Sequence, residues 1–399
     1  MQDLIIVGGG IGGASLAFHA ARAGARVLVL EKDSEPGGCL CTARTDAGFW
    51  YELGAHTCYN SYGAFLELLE GCELMGELQP RAKPVLRFLD DGRVLPGKNL
   101  GLLASQFSKL ELFASIPRWF GGSQEGQTVR SYYSRFVGAK NYERVLGPML
   151  SAVPSQTADD FPADMLFKKR ERRKDVLRSF TLKRGLQTAV ERALARPGVT
   201  LRTNAAAKGV ERSSRGFVVV LESGERLEAA KLALALPPQA AAKLLGGVAP
   251  EVAALAAQLK EAELDTLGFA VRAERVHVPT ATFLIPLKDQ FHSIVTRDVV
   301  PDPTWRGFAM HFRPGLAREA RVRRACEVLG LSPSDLEAVR ERRVRLPSPV
   351  LGHADTVRAL DARLAKLPLA LTGNWFGGLA IEDCVLRSRA EWQRLATLG

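Results

Sequence analysis

Apolar and polar positions alternate along this chain in two rhythms. Residues 4–7 (Leu-Ile-Ile-Val) and 27–30 (Val-Leu-Val-Leu) are short, wholly apolar runs, as in strands buried on both faces. Between them, residues 14–23 are alanine-rich and favour helix, and Gly24 stands where a helix C-cap would. Phe65, Leu68, Leu69 and Leu74 predict a helix over 65–78. Residues 85–89 and 93–95 flank Asp90-Asp91-Gly92 and predict a hairpin. Residues 100–167 are mostly helical in pattern, with Gly147-Pro148 as a break. A helix over 188–195 and a strand over 199–202 follow. Short strands are predicted at 207–210, 217–221 and 226–227, with a turn at Ser223-Gly224, and a strand at 231–236 stops at Pro237-Pro238. Apolar alternation at 267–271, 283–286, 293–295 and 308–312 predicts a sheet whose one face could line a cavity. Its notable side chains are His292, Arg297, Trp305, His311 and Phe312. Residues 369–371 form a last buried strand.

With 399 residues the chain suits two domains, and 46% hydrophobic with 24% charged residues is a globular composition. No apolar run is long enough to predict a transmembrane helix. Residues 1–13 lack a basic leader and hold a strand, so no signal peptide is expected and the location reads as cytoplasmic. The six cysteines then read as thiols, and Cys39-Leu40-Cys41 lacks a second pair at zinc spacing, so no metal site is expected. The net charge of +11 favours anionic partners in general. It is densest between Lys168 and Arg184, a run that reads as a solvated helix or linker face, or as an anion-attracting or peripheral membrane rim. Few aromatic residues interleave there, which argues against nucleic acid.

The chemistry starts at the first strand. Gly8, Gly10 and Gly13 satisfy G-x-G-x-x-G between that strand and the helix, with Gly12 inside the motif. Gly8 allows the tight turn, Gly10 lets backbone approach a pyrophosphate, and Gly13 lets helix and strand pack closely. The helix start offers N–H groups to phosphate. Glu31 ends the second strand, with Lys32 after it, and its carboxylate can accept hydrogen bonds from a ribose diol.

Pro36-Gly37-Gly38-Cys39, whose glycine pair starts six residues beyond the acid, resembles the second glycine motif of the flavin amine oxidase superfamily, which includes protoporphyrinogen oxidases, carotenoid desaturases and UDP-galactopyranose mutases. Cys39 stands where that family usually has arginine, while Thr42 and Arg44 remain. Gly48 through Gly54-Ala55-His56 resembles the family strand that crosses beside the isoalloxazine ring, which puts Gly54 and His56 near the ring. Residues 136–149 resemble the helical cap of protoporphyrinogen oxidase-like proteins. The segment 185–238 resembles the family's central return, with Ala207 at the adenine-contacting position. Gly373-Asn374 through Cys384 resembles the C-terminal flavin motif of protoporphyrinogen oxidases. It implies Asn374 facing the ribityl chain and the Gly378, Leu379, Ala380 and Ile381 backbone starting a helix aimed at the flavin pyrimidine, with Glu382 and Asp383 in its first turn.

The resemblance implies an α/β fold, a discontinuous Rossmann-type FAD-binding domain (1–78, 185–264 and 345–399) with a second α+β substrate domain (79–184 and 265–344). It implies non-covalent FAD and hydride transfer from a substrate C–H to flavin N5, in the manner of protoporphyrinogen oxidases or amine oxidases. A non-redox mutase and a non-catalytic flavoprotein remain as alternatives. The candidates facing the reaction are His56 and Trp375, the latter as an aromatic wall. Expected partners are a small acidic or conjugated substrate, with O2 as electron acceptor.

Overall fold

Side chains alternate across the first strand, and each side finds its own core. Leu4 and Ile6 join one cluster with Val27 and Val29, and Ile5 and Val7 join another with Leu28 and Leu30. A strand covered on both faces has no polar side, which is why these runs read as unbroken apolar segments. The computed structural model describes residues 2–119 and 122–398. In its first seven-stranded sheet, Gln2–Val7 lies between Val27–Leu30 and Arg226–Leu234, parallel to both. Val199–Arg202 extends one edge, and Gly216–Leu221 with Ala207–Ser213 extends the other as antiparallel strands. Leu369–Leu371 also pairs with Arg226–Leu234, in parallel.

Helix Ile11–Arg22 packs against Gln187–Leu194 and the last helix, Ile381–Thr397. Two hydroxyls fasten this layer. Ser388 Oγ donates to the Gly12 carbonyl at 2.8 Å, and Thr372 Oγ1 lies 2.7 Å from Ser388 Oγ.

The chain visits a second seven-stranded sheet twice. Leu86–Asp90 and Arg93–Val94 come first; Glu261–Arg272, Phe283–Pro286, Phe291–Thr296, Trp305–Phe312 and Glu337–Pro347 come later. The predicted hairpin turns at Asp91 and Gly92, both at positive φ. Helix Arg318–Leu329 covers one face, burying Ala325, Val328 and Leu329 against Ile294, Phe308, Met310 and Phe312. A two-stranded ribbon, Thr42–Arg44 with Trp50–Glu52, packs on the second sheet, where Phe49, Tyr51 and Leu53 cluster with Ala270 and Trp305. Short helices between 99 and 152 cap the second sheet at Phe88 and Ile285.

Several expectations change. The helix over 65–78 is Gly63–Gly71; Glu73 at positive φ ends the helical path, and Leu78–Pro80 is a strand. Gly147-Pro148 does not break the cap. Pro148 sits in the first turn of Gly147–Ala152, where a missing N–H is harmless, and Tyr142–Leu146 forms a π-helical turn before it. The strands at 226–227 and 231–236 are one strand, Arg226–Leu234, in which Lys231 Nζ escapes the core by donating to Leu395 O at 2.6 Å. The basic run is not a helix; it contributes the strand Ser179–Leu182.

Glu382 also plays a different part from the one its position suggests. It is 4% exposed, and its two carboxylate oxygens accept the Ala64 and Phe65 amides at 2.9 Å each, capping helix Gly63–Gly71 rather than its own. Glu382→Ala should therefore lower the unfolding free energy by about 3 kcal/mol, from two charge-assisted bonds of roughly 1.5 kcal/mol each. The measurement is a denaturant midpoint at unchanged slope; a midpoint equal to wild type would remove Glu382 from the cap.

Candidate functional site

Three backbone segments converge at the carboxyl end of the first strand. Gly8 takes φ +108°, and a Cβ at Gly13 would lie 1.9 Å from the Gly8 carbonyl oxygen, so turn and helix touch directly. Helix Ile11–Arg22 starts at Gly10, which has no side chain to cap it, and its first turn contains no acid. Those N–H groups are left to face an anion. Glu31 is buried beside them; Oε2 accepts the Gly9 amide at 2.8 Å and Oε1 the Asp33 amide at 3.0 Å. Lys32 is exposed and pairs with Asp33 at 3.0 Å. Ala205 N donates to Glu31 O at 2.8 Å, which brings the start of the Ala207–Ser213 hairpin alongside the acid.

The second segment is the Gly37-Gly38 loop, which lies on the first. Gly37 N donates to Gly9 O at 3.0 Å, and Gly10 bridges to Gly37. Two residues that the sequence did not single out hold this loop. Buried Gln187 donates Nε2 to Pro36 O at 3.0 Å and accepts Thr42 N at 2.9 Å. Arg342 donates Nη1 to Gly38 O at 2.7 Å. Gly54 N-terminal to His56 closes against the same loop: Ala55 N donates to Cys39 O at 2.9 Å, and a Cβ at Gly54 would lie 2.3 Å from that oxygen.

The third segment is the C-terminal motif. Asn374 Nδ2 reaches Cys39 Sγ at 3.9 Å, so Cys39, Gly54 and Asn374 share one corner. Gly373 precedes it at φ +150°. Helix Ile381–Thr397 has Ala380 at its N-cap, and the Ala380 amide turns back to Asp383 Oδ2 at 3.3 Å. Asp383 also binds Arg170 at 2.8 Å and Lys168 at 3.7 Å, while Lys168 Nζ donates to Gly377 O. Gly378 abuts the Asp383 carboxylate, and Leu379 packs against the cap cluster around Tyr142. Part of the basic run is thus committed to the last helix, and Arg173 pairs with Glu70 and Asp175. Cys384 faces Gly12 and is 3% exposed.

Trp375 is not a cavity wall. It is 1% exposed, stacks on Phe376 at 3.8 Å, and donates Nε1 to Leu236 O at 3.0 Å within the core. An indole in the hydrophobic layer with its N–H satisfied is a packing residue.

His56 is placed otherwise. Its ring meets Phe283 edge-on at 5.3 Å, and Nδ1 lies 3.2 Å from the Gly54 carbonyl. A carbonyl only accepts, so the proton sits on Nδ1 and Nε2 is the acceptor. Burial, with the Arg81 guanidinium nearby, holds His56 down to about 3. His56 also lines a small cavity of about 20 Å³ with Glu52, Thr181, Thr296 and Arg297. His311, at 3.0 Å from Thr266 Oγ1, is held down to about 4 by burial. His292 lies apart, in a cleft with Tyr142 and Arg313.

The donor set fits a dinucleotide carrying a diphosphate: an uncapped helix start, glycine backbone on two sides, and a buried acid within the same turn. Comparison with known proteins agrees. A family model for flavin containing amine oxidoreductase matches residues 11–271. A solved structure from Exiguobacterium sp. 255-15, provisionally named a protoporphyrinogen oxidase, superposes with TM-score 0.79 at 19% identity, covering 100% of this chain and 99% of that one. A reduced UDP-galactopyranose mutase gives 0.74 at 14%, covering 100% and 96%. Both likenesses are of fold. An inactive all-trans-retinol 13,14-reductase from Danio rerio is 48% identical over 52 residues, 13% of this chain and 8% of its own length, so the match spans a small part of that relative. No helix among the described residues is long and apolar enough to cross a membrane.

Glu52 gives the site a pH signature. Its carboxylate accepts Leu186 N at 2.7 Å and Thr42 Oγ1 at 2.8 Å, yet burial outweighs these bonds and pushes it from 4.5 up to about 7. A raised folded value means stability fully present below about 4.5 and lost as pH rises through about 7. Wild type should lose about 3 kcal/mol relative to Glu52→Gln across that window. Parallel pH–stability curves for the two proteins would show that Glu52 titrates alike folded and unfolded.

Proposed function

The chain belongs to the flavin containing amine oxidoreductase family, and from that premise we propose that it is an FAD-dependent oxidoreductase that takes hydride from a substrate C–H. The observation that carries the FAD assignment is the uncapped start of helix Ile11–Arg22 with Glu31 buried beside it. These groups serve an adenosine diphosphate half, which FMN lacks. Gly8, Gly10, Gly12 and Gly13 would face the diphosphate, Glu31 the ribose, and Ala207 backbone the adenine. Gly37, Gly38, Cys39, Gly54, Gly373 and Asn374 would line the path toward the ring, with residues 378–381 at its pyrimidine end. When bound, FAD supplies the hydride acceptor.

The protein's own task is then position and protonation. The Gly54 carbonyl fixes the His56 ring, and Nε2 stays free to accept a proton or hydrogen bond from a substrate. Burial keeps that imidazole neutral at working pH. Phe283, packed on His56, and the Val295 and Ala309 positions of the second sheet supply apolar wall. O2 is the proposed electron acceptor.

Purified protein should be yellow and release FAD on denaturation; release of FMN, or failure to take up any flavin on refolding, would sink the assignment. An anaerobic screen of porphyrinogens, amines, amino acids and polyenes should find a compound that bleaches the flavin steadily. Conversion only after prior reduction, with no net electron transfer, would favour the mutase reading instead.

Glu31→Ala should weaken FAD retention by about 1.5–3 kcal/mol, the worth of hydrogen bonds to a charged group. It should also reduce stability, because the Gly9 amide loses its acceptor. Equal FAD affinity in variant and wild type, by calorimetry on the apoprotein, would remove Glu31 from the ribose.

A further inference from the structure

A small three-stranded sheet stands between the two large ones. Leu78–Pro80 and Cys58–Tyr59 both pair with Ser179–Leu182, setting Gln79 opposite Thr181 and Tyr59 opposite Ser179. Cys58, Phe180 and Leu182 turn into the apolar core. The other face is polar and unsatisfied: Gln79 Oε1 and Thr181 Oγ1 are buried without a hydrogen-bond partner among the described residues. Arg81 follows the first strand on that face, two residues past Gln79. Ala82 N ties this segment to Val299 O at 2.8 Å, and Val299, Thr181 and His56 line the cavity described above.

Arg81 has two buried nitrogens without partners among the described residues, Nε and Nη2. The neighbours that act on its charge are Tyr59 and Cys58, neither a carboxylate. His56, beside it, is neutral. Buried N–H donors with nothing to accept them are unfavourable, so a partner belongs on this edge of the half-buried Arg81. Nε and Nη2 form one edge of the guanidinium, and this chain uses that edge repeatedly for one purpose. Arg306 holds Asp298 through it at 3.0 and 2.5 Å, Arg324 holds Asp289 at 3.3 and 2.6 Å, and Arg343 holds Asp265 at 2.7 and 3.0 Å. Each is a two-pronged clamp on a carboxylate. Arg297, which lines that cavity, is held differently: it donates to Val300 O and stacks on Trp50 and Phe49 at 4.5 and 4.9 Å, leaving only Nε buried without a partner among the described residues.

We propose that the Nε/Nη2 edge of Arg81 receives a carboxylate carried by the substrate. This rests on the flavin oxidoreductase reading, in which His56 lies at the reacting end. The Thr181 hydroxyl adds a donor to the same anion. Gln79 adds another once its amide is turned to present Nε2, an exchange of O and N that leaves its shape unchanged. The substrate is thereby oriented by its acid group, with its oxidisable carbon toward His56.

The test uses the flavin-loaded protein, with flavin content measured first, and two probes of one shape, benzoate and neutral benzamide. Titration calorimetry, paired with the change in flavin absorbance, should show benzoate binding about tenfold tighter or more. Arg81→Gln should abolish that preference and leave benzamide unchanged, while Arg81→Lys should keep part of it, as a point charge without the fork. The same Arg81→Gln variant should melt at or above the wild-type temperature, because it removes two buried N–H donors that have no acceptor among the described residues. A structural arginine would do the reverse. Equal affinity for the two probes, no benzoate binding, or a lower melting temperature in Arg81→Gln overturns the proposal. Inorganic phosphate binding as tightly as benzoate also overturns it, in favour of a general anion site. Protein that carries no flavin yet still prefers benzoate would fail the flavin reading and leave the carboxylate site standing.

Discussion

Backbone held against backbone around one glycine turn is the constraint on which this molecule depends. Gly13 lies on the Gly8 carbonyl, Gly38 on Gly10, and the Cys384 sulfur behind Gly12. Side chains are excluded there by distance alone, so the surface of this turn is made of peptide groups. That arrangement requires neighbours to hold each segment from outside. Glu31 takes the Gly9 amide, Gln187 grips Pro36 O, Arg342 grips Gly38 O and Ser388 grips Gly12 O. The surrounding polar side chains are a frame for a surface made of backbone alone.

Charge is used in the same structural way. The surplus of +11 suggests a surface built to attract anions, but many of the arginines in this structure are tied to acids or carbonyls. Arg170 and Lys168 converge on Asp383, Arg321 and Arg343 on buried Asp265, and Arg394 on the carbonyls of Leu364, Leu367 and Leu369. Arginine suits such work because its planar fork satisfies several acceptors at once. Against this background Arg81, whose buried Nε and Nη2 find no partner among the described residues, stands out by chemistry rather than by position.

Local physics was readable from the chain, and distant partners were not. The buried strands at Gln2–Val7 and Val27–Leu30 follow from period and composition, and the Asp91-Gly92 hairpin from the need for positive φ. The glycine motifs that meet in the structure are also those that the sequence marks. What was missed lies far apart along the chain: Gln187 acts on Thr42 across 145 positions, Arg342 on Gly38 across 304, and Glu382 on Phe65 across 317. No window of local pattern holds both members of such a pair. Trp375 was misjudged for a related reason. Its neighbourhood matched a flavin motif, but the decision between wall and core was made by Leu236 O and Phe376. Glu337–Pro347 was overlooked because its arginines mask an edge strand, where charged side chains are tolerated.

The bond from Ser388 to Gly12 joins positions 376 apart, and that distance has a meaning in time. A ribosome adding about 5–20 residues per second takes roughly 20–75 s to travel it. Throughout that interval the glycine turn is already made but has no floor beneath it, no Thr372–Ser388 lock and no C-terminal helix to lean on. The first sheet is equally incomplete, since Leu369–Leu371 is its last strand to arrive. Closure around the glycine turn is therefore a late event, set by the arrival of Thr372 and Ser388 rather than by the strand that carries the glycines.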